Sequence, residues 1–102
     1  MGDRVSISFI KDKEESVILF SHWGGMSLVA KALAYVRELD EEVPEGRSFP
    51  LSRREPNTVL VDFLRVLLAD EERILGDYYL ASSQSLGDNS DNGHHSIPLG
   101  SN

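Results

Sequence analysis

The sequence predicts an α+β fold: one domain of order β-β-α-α-β-β, with an antiparallel sheet and two helices packed on one of its faces. Three patterns predict it. Apolar residues alternate at period two near the start, two central stretches carry the helical period, and β-prone residues flank a polar, turn-rich segment near the end. A length of 102 residues suits one domain built on one core.

Val5, Ile7 and Phe9 alternate with Arg4, Ser6 and Ser8, which describes a strand with one buried face. The charged run Lys11-Asp12-Lys13-Glu14-Glu15 is an exposed turn into Ser16-Val17-Ile18-Leu19-Phe20-Ser21, a nearly continuous apolar strand inside the sheet. The two strands should form an antiparallel hairpin. Gly24 and Gly25 break the pattern. Beyond them Leu28, Val29, Ala32, Leu33, Val36 and Leu39 make a helical apolar stripe, with Ser27 as N-cap and an end near residues 40–43, before Pro44.

A loop rich in proline and charge follows over residues 43–55. Pro56 suits the first turn of a second helix, where its missing N–H costs nothing, and Asn57 or Thr58 is placed to satisfy orphan donors there. Leu60, Phe63, Leu64, Leu67 and Leu68 line one face of that helix, which Gly76 should stop. Its last turn would then carry Asp70, Glu71 and Glu72 against the macrodipole. Tyr78-Tyr79-Leu80-Ala81 and residues 94–99 read as the last two strands. Pro98 puts the final one at an edge or near its own end. His95, Ile97 and Leu99 share one of its faces and His94, Ser96 and Pro98 the other, leaving His94 the freer imidazole.

Composition excludes several function classes. A formal charge of −7 disfavours a nucleic-acid reader or an anionic lipid surface and favours cations or basic partners. With no cysteine there is no disulfide, thiol nucleophile or thiolate metal site. No apolar run is long enough to span a bilayer and no charged leader precedes one, so the expected setting is cytoplasmic, away from membranes.

Three places carry chemistry. The run Asp88-Asn89-Ser90-Asp91-Asn92-Gly93-His94-His95 combines oxygen ligands, a turn-forming Asn-Gly and two imidazoles. Asp88, Ser90, Asn92 and Gly93 fit the first half of a calcium-binding loop of the EF-hand kind, but Leu99 stands where the bidentate glutamate is needed. What remains is a looser site for calcium or magnesium on Asp88, Ser90, Asp91 and Asn92, or simply a type I′ hairpin turn at Asn-Gly. In the second place, Ser21-His22-Trp23-Gly24-Gly25, the Gly24 and Gly25 amides are candidates to bind an anion at a helix N-terminus. His22 is a candidate proton carrier there. The structural alternative is that Trp23 plugs one end of the core and the glycines make room for it. His22 with His94 or His95 and Asp77 or Asp91 would also supply a transition-metal ligand set. In the third place, Arg47, Phe49, Leu51, Arg53 and Arg54 mix arginine with apolar residues as partner surfaces do. Those arginines equally suit pairing with the acidic cluster at residues 40–45.

The segments Phe20-Ser21-His22-Trp23-Gly24-Gly25 and Glu55-Pro56-Asn57-Thr58-Val59, together with residues 87–94, resemble a group of small uncharacterised proteins of microbial and phage genomes. The resemblance spans most of the chain and implies no activity or catalytic residue. The functional expectation is a small soluble protein that binds a protein partner or small ligand, with a divalent cation in the C-terminal hairpin loop. The alternative is a hydrolase or phosphate-handling enzyme using His22, a C-terminal histidine such as His94, and Asp77. Clustered histidines would favour the enzyme, and dispersed ones the binding module.

Overall fold

A computed structural model of the chain describes residues 2–43, 51–69 and 77–99. The fold is α+β, with strands β1 (Val5–Lys11), β2 (Glu14–Glu15), β3 (Ile18–Ser21), β4 (Tyr78–Ala81) and β5 (His94–Pro98), and helices α1 (Gly25–Glu42) and α2 (Pro56–Leu67). The expected hairpin forms through a tight turn at Asp12 and Lys13, where Asp12 takes φ +55°. Its second arm is broken. Ile10 faces Glu15 while Ile7 faces Leu19, so the partner strand carries one extra residue, a bulge at Ser16 and Val17. Ser16 occupies the gap, donating its N–H to the Phe9 carbonyl and accepting the Phe9 N–H on its hydroxyl.

β4 adds antiparallel to β3, but β5 pairs with β1 in parallel register, from Ser6 opposite His94 to Ile10 opposite Pro98. The sheet is therefore antiparallel in all its pairings except this one. The expected Asn-Gly hairpin does not exist: β4 and β5 lie at opposite edges, pointing the same way, and residues 82–93 cross the sheet between them. A parallel return needs a connection of about a dozen residues, which that segment supplies. Gly93 takes φ +77° while Asn92 keeps φ negative, so the pair is not a type I′ turn, which needs both positive. Pro98 sits on an edge strand, as expected.

Both helices cover one face of the sheet. Val5, Ile7 and Phe9 of β1, Leu19 of β3 and Ile97 of β5 meet Leu28, Val29, Ala32, Tyr35 and Leu39 of α1 and Val59, Leu60 and Phe63 of α2. Tyr35 stands where Leu33 was expected, and Leu33 is 44% exposed. The tyrosine ring meets Phe9 and Phe63 edge-on at centroid distances of 6.1 and 5.3 Å, and its hydroxyl donates to Asp62 at 2.7 Å. An aliphatic stripe misses a residue that is apolar in its ring and polar at its tip.

The helix ends also differ from expectation. α1 starts at Gly25 with Gly24 as N-cap, and the Ser27 hydroxyl donates back to the Gly24 carbonyl. Pro56 opens α2, but Asn57 does not cap it: its Oδ1 accepts the Val17 N–H at the bulge. α2 ends at Leu67, well before Gly76, so its last turn carries Arg65 rather than an acidic cluster. Asp70, Glu71, Glu72 and Gly76 lie outside the described residues. Among the described residues no helix is long and apolar enough to cross a membrane.

Candidate functional site

The opposite face of the sheet is polar along β1 and β5, aromatic along β3 and β4, and not open. Register puts Ser6 and Ser8 of β1, Phe20 of β3, Tyr79 of β4 and His94 and Ser96 of β5 on this side, and the crossover lies over it. A Cβ on Gly87 would stand 2.6 Å from the Phe20 ring, so the crossover can touch that ring only because residue 87 is glycine. Phe20 stacks on Tyr79 at 4.9 Å, and the Tyr79 hydroxyl accepts the Asp88 N–H at 2.9 Å.

The acidic loop closes on a cation from its own chain. The Arg4 guanidinium lies 3.2 Å from Asp88 and 3.5 Å from Asp91, and Asp91 also accepts the Arg4 N–H at 2.9 Å. Asn92 donates its side-chain amide to the Asp3 carboxylate and the Arg4 carbonyl. Ser90 hydrogen bonds first, and then the Arg4 charge, hold the Asp88 carboxyl below its ordinary value. Of the residues proposed for a divalent ion, Asp88, Asp91 and Asn92 thus form a clasp around the start of β1, and Ser90 bonds Asp88. Among the described residues no three His, Asp or Glu side chains come together in a group that could hold a metal ion.

The glycines before α1 are engaged in a similar way. Gly24 donates its N–H to the Ser21 hydroxyl and Gly25 to the Asp3 carbonyl. Gly25 has φ +53°, and the Asp3 carboxylate fills the place where a side chain would be, so the anion at this helix start is internal. Asp77 anchors the turn, its Oδ1 accepting from the Ser21 hydroxyl and the His22 and Trp23 N–H groups at 3.0–3.2 Å. Trp23 does not plug the core: it is 62% exposed, beside a His22 ring that also packs near Tyr79.

The three histidines take separate partners. His22 sits among aromatic rings, and His95 donates Nε2–H to the Asn92 carbonyl at 2.9 Å. His94, expected to be the freer ring, is only 8% exposed. Its Nδ1 meets the Ser6 hydroxyl at 2.8 Å, and its Nε2 meets the Ser8 hydroxyl at 3.1 Å and Glu15 at 3.5 Å. Ser8 also donates to Glu15, and that bond, ahead of the His94 contacts, keeps the Glu15 carboxyl below its ordinary value. Serine, histidine and glutamate are in contact as in a nucleophilic triad, but here Ser6 and Ser8 are both fully buried. The expectation failed because alternation assigns His94 to the solvent face, and the crossover covers that face.

Of the arginine-rich loop, Arg47 and Phe49 lie outside the described residues. Arg54 is buried at φ +58°. It donates to the Leu51 and Val43 carbonyls and to Asp40, so it satisfies the C-terminal end of α1, as the pairing alternative required. Arg53 is exposed beside Glu55 at 3.3 Å. Leu51 is half-buried and has a second role that sequence reading reached only by residue type. With Asn57, Thr58, Val61, Asp62 and Arg65 it lines an open groove of about 520 Å³ along α2. Val61 is 68% exposed there. An apolar residue that breaks the polar face of a helix was the available signal.

Comparison with protein-family models, characterised proteins and solved structures found no match for this chain.

Proposed function

We propose that this chain is a binding module without catalytic machinery, and that the groove along α2 receives an apolar side chain from a basic segment of a protein partner. The observation that carries the reading is the groove itself. It sets an exposed valine and a half-buried leucine between hydrogen-bonding groups, the mixture of apolar centre and polar rim that recognition surfaces use. The candidate catalytic groups support it from the other side, since Asp77 meets the His22 backbone N–H while accepting from Ser21 and Trp23, the His22 ring packs near Tyr79, and the His94 ring is taken up by Ser6 and Ser8. The net charge of −7 selects basic partners.

Selection of displayed peptides on the intact protein, with counter-selection on Val61→Asp, tests the reading. Val61 is exposed, so the variant should keep its stability within about 0.5 kcal/mol. Enriched peptides should be basic, carry a large apolar residue, and shift the amides of Asn57, Thr58, Val61, Asp62 and Arg65 in NMR spectra. Peptides that bind the variant equally well, shift other amides, or fail to enrich at all would reject it.

A further inference from the structure

Asn92 is the only asparagine of the chain that precedes a glycine, and Asn-Gly carries a reactivity of its own. The Gly93 nitrogen can attack the Asn92 side-chain carbonyl carbon, giving its proton to water, and no Cβ on residue 93 stands in the way. The bond from that carbon to Nδ2 then breaks and ammonia leaves, closing a cyclic imide. Water opens the ring at either carbonyl, giving aspartate or the β-linked isoaspartate.

The fold holds both partners of that reaction. Gly93 donates its N–H to the Asn89 carbonyl at 2.7 Å, so the proton that the attack must shed is engaged. The Asn92 side-chain amide donates to the Asp3 carboxylate at 2.6 Å and to the Arg4 carbonyl at 3.1 Å. A carboxylate and a carbonyl can only accept, so this amide has one orientation and cannot turn without losing both bonds. The backbone around it is fixed as well. Asn92 donates its N–H to the Arg4 carbonyl, its own carbonyl accepts from His95, and the Gly93 carbonyl accepts the Ser6 N–H.

Either product fits this place badly. Aspartate at position 92 sets an acceptor-only group against the Asp3 carboxylate and the Arg4 carbonyl, while the Arg4 guanidinium is already engaged by Asp88 and Asp91. Isoaspartate routes the main chain through Cβ, which adds an atom just before His94, where β5 takes its register opposite Ser6. We propose that Asn92 and Gly93 form a self-modification site guarded by the fold. It is inert while the crossover is clasped to the start of β1, it closes to the imide once the crossover lifts, and the loss of ammonia makes the release permanent.

Mass spectrometry of proteolytic peptides tests this on the intact protein, aged in mildly alkaline buffer with and without guanidinium chloride. In the denatured chain Asn92 should convert before Asn57 and Asn89. In the folded protein its conversion should be slower by about tenfold or more, because the reaction must wait for local opening. Asn92→Asp, which carries the carboxylate of one product, should lower amide-exchange protection at Ser6 and Gly93 by about tenfold or more relative to the amides of α1. Conversion as fast in the folded protein as in the denatured one, another asparagine converting ahead of Asn92, or unchanged protection in Asn92→Asp would each overturn the proposal. If that variant does not fold, the two wild-type rates decide the matter alone.

Discussion

β1 is buried on both sides, by opposite chemistry. Val5, Ile7 and Phe9 disappear under two helices, and Ser6 and Ser8 disappear just as completely under the crossover and His94. The helix side is held by contact area, which needs no particular geometry from any one pair. The other side is held by hydrogen bonds, which add little net stability when made and cost much when half-made. The first side should therefore dominate stability and the second should fix which strands pair, because the register of β5 on β1 sets Asn89 against Ser6, Ser6 and Ser8 against His94, and Ser8 against Glu15.

The sharpest test of that division is Phe9→Ala. Phe9 is fully buried and touches Tyr35 and Phe63 edge-on at 6.1 and 5.5 Å. Its truncation should cost about 3–5 kcal/mol in denaturant unfolding. Ser6→Ala removes one oxygen and leaves the Asn89 amide and His94 Nδ1 each without a partner, for a smaller loss of about 2 kcal/mol. A Ser6→Ala loss as large as that of Phe9→Ala would end the distinction between the faces.

The same division explains what was legible in the sequence. Val5, Ile7 and Phe9 gave the strand and its buried side because apolar burial leaves a period, and Leu28, Val29, Ala32 and Leu39 marked α1 for the same reason. Nothing local marks a buried serine, so the covered polar face read as solvent. Arg4 and the acidic loop are more than eighty residues apart, and a single sequence holds no sign that one is the counter-ion of the other. The parallel return of β5 was lost to Asn-Gly, a strong local hairpin signal that topology overrode. Leu51 was found by its residue type, whereas the groove it lines needed the position of α2.

Gly87→Ala probes how firmly the crossover is pressed onto the polar face. The added methyl would overlap the Phe20 ring at 2.6–2.8 Å, and a loop can lift where a helix could not. The loss should be about 1 kcal/mol, at the low end for overpacking. The Tyr79 and Asp88 amide resonances should move while those of α2 stay in place. Movement spread through the helix side would show that the two faces are mechanically one.

The smallest effect separates the faces by pH. Ser8 and Ser90 hydrogen bonds hold Glu15 and Asp88 below their ordinary values of 4.5 and 3.8, so their stabilisation is present above those values and is lost as pH falls through the lowered ones. Burial, reinforced by the hydrogen bond to Asp62, pushes the Tyr35 phenol up from its ordinary 10.0. Its contribution is complete below that value and is lost as pH rises above it, when the unfolded chain ionises first. Thermal unfolding across pH should thus show an acid limb belonging to the polar face and an alkaline limb belonging to the helix side. Ser90→Ala should flatten only the acid limb, and Tyr35→Phe only the alkaline one, because Asp62 keeps Arg65 at 3.0 Å when the phenol is gone. If either variant changes both limbs, the faces share their electrostatics, and the polar side then contributes to global stability as well as to strand pairing.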